Sequence, residues 1–110
     1  MKSLGKITYA RFGIGGYQEC MIGLTLFFQG EFGGIGTDFM VWDPNMIKVS
    51  EHTKWTEESR GKQMEDIMRK VSDLLFKAKV DCVTKLIGVQ VEVEIENQRF
   101  KSFRILTEVL

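Results

Sequence analysis

Apolar and polar positions alternate with a period near two at both ends of the chain and with a period near 3.6 between them. The segment Lys6-Ile-Thr-Tyr-Ala-Arg-Phe12 is rich in β-branched and aromatic residues and predicts a first strand. In Met21–Gln29, Ile22, Leu24, Leu26 and Phe28 share one face, while Met21, Gly23, Thr25 and Phe27 share the other. Both faces are mostly apolar, which predicts a central strand covered on both sides. Thr37–Trp42 predicts a third strand, ended by the turn residues Asp43-Pro-Asn45. Residues 46–55 carry no clear period. Met64, Ile67, Met68, Val71, Leu74, Leu75 and Ala78 then recur at three- and four-residue steps and form one helical stripe. Thr56 is its N-cap, and Glu57 and Glu58 meet the positive end of the dipole. Arg60, Lys62, Glu65, Asp66, Arg69, Lys70, Asp73 and Lys77 read as its solvated face.

Asp81 caps a second, short helix that runs to Ile87 and is closed by Gly88. Val89–Glu96 alternates strictly, with valines and Ile95 inward and glutamates outward. Glu96-Asn-Gln98 turns the chain, and Arg99–Leu110 supplies the closing strand or strands. The predicted fold is α+β: an antiparallel sheet of about five strands, with one long helix and a short second helix packed on one face. The length of 110 residues fits a single domain, 1–110.

Glycine placement sharpens this picture. Eight of the eleven glycines fall between Gly13 and Gly36, in clusters on either side of the second strand. Gly30–Gly36 reads as a loop. Two such loops are either tight turns or places where a ligand or partner reaches main-chain amides. Gly23, inside the strand, lets another backbone or a ring lie close.

Charge narrows the partners. Fifteen basic and fifteen acidic residues cancel, which argues against a general nucleic-acid binder dependent on counterion release. No apolar run is long enough to span a bilayer, and Met1–Lys6 has no apolar core of a signal peptide. Cys20 and Cys82 lack metal spacing and read as two buried, reduced thiols of a cytosolic protein. His52 is the only histidine, without a second ligand at metal spacing and without a nucleophile marked beside it. Gly33-Gly-Ile-Gly36 is not followed by the Gly-Lys-Ser/Thr of a phosphate-binding loop. The chain therefore reads as a binder, with no catalytic residue, metal ligand or cofactor site assigned. Phe27, Phe28, Phe32, Phe39 and Trp42 cluster with the glycines, and Arg11, Lys101 and Arg104 lie on strands. Aromatic faces stack on nucleobases, and arginine holds phosphate. Each residue taken singly fits a core or exposed-strand role as well.

Three pieces give a family likeness: Lys6-Ile-Thr-Tyr-Ala-Arg11 with Met21–Phe28, the glycine-rich Gly30–Gly36 leading to Trp42-Asp43, and the ending of helix, Ala78–Gly88, valine strand and hairpin. In this plan the chain resembles the Tad1-type anti-Thoeris sponges of bacteriophages. The resemblance implies a homo-oligomer, dimer or higher, in the cytoplasm of an infected bacterial host. It implies pockets between subunits that hold a small cyclic nucleotide ligand, a cyclic ADP-ribose isomer or a cyclic oligonucleotide, without cleaving it. By position, Gly33, Gly34, Gly36 and Phe39 would line the pocket beside Phe32, and Arg11 or Arg104 would meet phosphate. The chain departs from the family in lacking its more aromatic glycine run and its basic, histidine-containing ending. Two alternatives stand beside this one: a phage structural or interaction protein that self-assembles through its sheet, and a nucleic-acid accessory protein, against which net neutrality speaks.

Overall fold

The computed structural model describes residues Met1–Leu110. Strands β1 (Lys2–Gly15), β2 (Met21–Gly30), β3 (Gly33–Trp42), β4 (Gln90–Glu96) and β5 (Arg99–Ile105) form one antiparallel sheet in the order β3-β2-β1-β4-β5. Helix α1 (Glu57–Ala78) lies over one face, called here the inner face. The α+β architecture is the one the alternation predicts. No helix is long and apolar enough to cross a membrane.

The helix begins where its sequence says it should. Thr56 Oγ1 accepts from the Ser59 amide at 3.1 Å, and Ser59 Oγ accepts from the Thr56 amide at 2.9 Å, a reciprocal cap that satisfies two otherwise unpaired donors. It ends at Lys79, whose left-handed conformation lets the Lys79 and Val80 amides reach back to the last carbonyls. Between β4 and β5, Asn97 and Gln98 both take positive φ, which suits a two-residue hairpin turn.

The core is small. Ile7 and Ala10 of β1, Leu24, Leu26 and Phe28 of β2, Val91 and Val93 of β4 and Ile105 of β5 pack with Leu74, Ala78, Leu86 and Val89. Phe28 lies 4.9 Å from Phe103 and 5.8 Å from Phe100, ring centre to ring centre, although β1 and β4 separate their strands in the sheet. The sheet is therefore curled at this end. At the other end β1, β2 and β3 run on without β4, because β1 pairs with β4 only over Lys2–Lys6, with a last pair of bonds at Ile7. This three-stranded arm lengthens the molecule: its radius of gyration is 15.2 Å, against about 13 Å for a compact domain of this length.

Several expectations are corrected. Gly30–Gly36 is not a loop, because β2 continues to Gly30 and β3 begins at Gly33, leaving Glu31-Phe32 as the turn. β1 also extends beyond Lys6–Phe12 at both ends. The predicted second helix is a single 3₁₀ turn, Val83–Leu86, and Asp81 pairs with Lys85 at 2.8 Å instead of capping it. β2 is covered on its inner face only. Met64 and Met68 are exposed, since α1 reaches past β4 and β5 and overhangs the arm. Cys82 is exposed and Cys20 half-buried, both free, because the turn after Asp81 keeps Cys82 on the surface. Residues 46–55 form turns and bends.

Arg60 is buried rather than solvated. Its Nη1 donates to the Ile47 carbonyl at 2.7 Å and to the Trp42 carbonyl at 3.4 Å. Nη2 pairs with Glu57, and the guanidinium lies 4.6 Å from the Trp55 ring centre. One side chain thus ties the end of β3 and the irregular segment to the first turn of α1. Arg60→Met is expected to lower unfolding stability by about 2–4 kcal/mol in urea, because buried carbonyls lose their donor. Arg69→Ala, at the exposed end of an i,i+4 pair, is expected to change it by less than about 0.5 kcal/mol. Equal effects of the two substitutions would contradict this role for Arg60.

Candidate functional site

The outer face of the arm, opposite α1, carries three of the candidate residues, Arg11, Gly34 and Gly36. Strand register sets its rows: Tyr9 beside Phe27 beside Gly36, Arg11 beside Thr25 beside Asp38, Gly13 beside Gly23 beside Met40, and Gly15 beside Met21 beside Trp42. Side chains at directly opposed positions share a face, so each row is a contiguous strip. Tyr9 and Phe27 are exposed, the latter by 42%.

Glycines shape this face by what they omit. A Cβ on Gly36 would sit 2.9 Å from the Phe27 ring, and one on Gly34 would meet it at the same distance. The ring therefore lies flat over two residues of β3. A Cβ on Gly13 would meet the Arg11 guanidinium at 3.3 Å, and one on Gly15 the Met40 methyl at 3.3 Å. At Gly23 the neighbouring strand itself is the reason: a Cβ would fall 2.1 Å from the Phe39 carbonyl oxygen. The close backbone approach expected at Gly23 is thus present. Glycine makes this face shallow and smooth.

Arg11 is the exposed cation of these four rows. Its Nη1 donates to the Ile14 carbonyl at 2.7 Å, and no carboxylate pairs with it. Asp38 stands two strands away in the same row, with Thr25 between them.

The seven residues singled out from sequence do not converge. Arg11, Gly34 and Gly36 share the outer face. Gly33 opens β3 with positive φ, and a Cβ there would meet nothing within 4 Å. Phe32 packs against the backbone at Gly5 and Gly30 and joins the inner core. Phe39 faces inward opposite Leu24, with Lys70 Nζ 4.5 Å above its ring centre. It cannot line a surface with Arg11, since the sheet lies between them. Arg104 sits on β5, on the order of 20 Å along the sheet from Arg11. Glu108 accepts from both Nη atoms of Arg104 at 3.1 Å, and Glu92 accepts from Nε at 3.1 Å. Those bonds, first that to Glu108, raise the Arg104 pKa, and the bond from Arg104 holds the Glu108 carboxyl below its ordinary range. Arg104 is already neutralised and is not placed to receive a phosphate with Arg11.

The outward set that individual selection missed is Tyr9, Thr25 and Asp38. A period-two reading carried from β1 through β2 to β3 points to it, once the register is known.

If the glycines serve to seat Phe27, their cost must depend on that ring. Gly36→Ala is expected to destabilise by roughly 1–2 kcal/mol in the native background and by no more than about 0.5 kcal/mol in a Phe27→Ala background. Additive losses in chemical denaturation would break this link. Comparison of the chain with protein-family models, curated proteins and solved structures returns no match.

Proposed function

We propose that this protein is a binder, a phage anti-defence sponge that sequesters a cyclic nucleotide immune signal without cleaving it. The ligand class is a cyclic ADP-ribose isomer or a cyclic oligonucleotide, and the setting is the cytoplasm of an infected bacterium. The observation that carries this reading is the joint exposure of Tyr9, Arg11 and Phe27 on one open sheet face floored by glycine. Aromatic faces offer stacking to a nucleobase. Arg11 offers two parallel donors to a phosphate at the cost of one hydrogen bond to a backbone carbonyl. Thr25 and Asp38 stand where ribose hydroxyls would find acceptors. A shallow face covers only part of such a ligand, so a second protomer is expected to complete the site. Self-assembly through the sheet, the competing reading, is favoured by the unpaired edge of β1.

Isothermal titration with cyclic ADP-ribose isomers and with cyclic di- and trinucleotides tests the proposal. Binding is expected for at least one, with the ligand recovered intact after heat denaturation. Arg11→Ala is expected to weaken it at least about tenfold, the loss of one charge-assisted contact. Arg104→Ala is expected to leave it unchanged. Absence of heat from all of these ligands at about 100 μM protein, or cleavage of the ligand, would remove the reading.

A further inference from the structure

Beyond Ile7, strand β1 has a neighbour on one side only. Antiparallel pairing decides which of its groups are left over. The two-residue turn Glu31-Phe32 makes Gly30 and Gly33 a closing pair, so Gly30, Phe28, Leu26, Leu24 and Ile22 bond toward β3. The alternate residues of β2 then bond toward β1, where they meet Tyr9, Arg11, Gly13 and Gly15. It follows that Ala10, Phe12 and Ile14 aim their N–H and C=O groups at the empty side. Ile7 aims the same way and is satisfied there, by the Val89 carbonyl and the Gly88 amide. The one-residue bulge between Ile7 and Tyr9 accounts for the change from odd to even positions. Ala10 is sealed, at 5% exposed, in the core cluster that includes Leu86. The accessible edge therefore begins at Phe12.

Beside this edge is an apolar cleft of about 170 Å³ between sheet and helix, lined by Phe12, Ile22, Val41, Met64, Ile67 and Met68. Phe12 is 41% and Met68 59% exposed. The helical repeat turns Met64 and Met68 toward β1, while Lys70 on the opposite flank covers Phe39 and Phe103 of β3 and β5. A strand edge with unmet hydrogen bonds beside an apolar cleft calls for another strand with apolar side chains.

We propose that a second copy of this chain fills it, β1 against β1 in antiparallel register about a two-fold axis at Gly13. Phe12 of each protomer then stands opposite Ile14 of the other, so the outward-aimed groups of both residues are satisfied. On the inner face the opposed pairs are Phe12 with Ile14, both apolar and next to the cleft. On the outer face they are Gly13 with Gly13 and Arg11 with Gly15, so the one large cation of the edge meets a residue without a side chain. No like charges oppose each other, and no proline interrupts the edge. In the isolated chain Arg11 caps the Ile14 carbonyl, and in the pair the Phe12 amide of the other copy takes its place. Contact running from Arg11 to Gly15 is about 17 Å long. Sheet and helix layer together are about 20 Å deep. This gives roughly 350 Å² per protomer, about 700 Å² in all, the size of a weak, transient contact. A reversible, concentration-dependent dimer is the expected state. The inference rests on backbone register and packing and is independent of the ligand reading.

Sedimentation equilibrium across about 5–500 μM tests the pairing, with a register test by disulfide trapping. The native chain is expected to dimerise. Phe12→Glu, an exposed position, is expected to raise the dissociation constant at least about a hundredfold with an unchanged circular dichroism spectrum. In a Cys20→Ser, Cys82→Ser background, Gly13→Cys is expected to oxidise to a covalent dimer, because non-hydrogen-bonded partners across the axis have Cα atoms about 4.5 Å apart. Gly15→Cys, far from its own symmetry mate, is expected to form no covalent dimer under the same oxidation. A native chain monomeric throughout the range would overturn the proposal and leave the edge to a strand of another protein. A dimer that survives Phe12→Glu, or that fails to trap at Gly13, would overturn it by placing the contact elsewhere.

Discussion

Strand β1 pairs with β2 along nearly its whole length but with β4 only as far as Ile7, and the change falls at the bulge between Ile7 and Tyr9. That local irregularity divides the molecule. Before it, five strands curl around Phe28, Phe100 and Phe103, and the core is closed by Leu74, Ala78 and Leu86. After it, three strands continue as an arm with helix on one face and solvent on the other. The packed aromatic cluster lies on the first part, and the exposed Tyr9, Arg11 and Phe27 lie on the second. Arg60 joins the two by anchoring the end of β3 to the start of the helix.

The glycines follow from this division. In the arm they occupy a sheet, where glycine ordinarily weakens pairing through its entropy cost. Four are matched to a large side chain, Gly34 and Gly36 to Phe27, Gly13 to Arg11 and Gly15 to Met40, while Gly23 makes room for the Phe39 carbonyl. The result is a flat surface on which a few aromatic rings and one guanidinium lie along the strands instead of standing up from them. Such a surface offers stacking and one guanidinium to one side of the ligand class proposed above.

The elements whose signals are local were legible from the chain. Thr56 caps the helix, its apolar stripe runs to Ala78 where the helix ends, and the Val-Glu alternation of β4 predicts its inward and outward faces. What was hidden depends on partners distant in sequence. Gly30–Gly36 resembles a loop until Phe27 is known to rest on it. Arg60 looks solvated until the carbonyls of Trp42 and Ile47 arrive beside it. Met64 and Met68 read as core because periodicity reports a stripe and not how much sheet lies beneath it. The candidate site was half legible for the same reason: Arg11, Gly34 and Gly36 share a face, while Phe32 and Phe39 turn inward and Arg104 is taken up by Glu92 and Glu108.

The claim that the open face of the arm is where this protein meets its ligand is tested most directly by amide chemical-shift mapping in a titration with cyclic ADP-ribose isomers and cyclic dinucleotides. Perturbations are expected to concentrate at Tyr9, Arg11, Thr25, Phe27, Gly34, Gly36 and Asp38. Perturbations confined to residues 46–55 or to β5, with the arm unchanged, would contradict it.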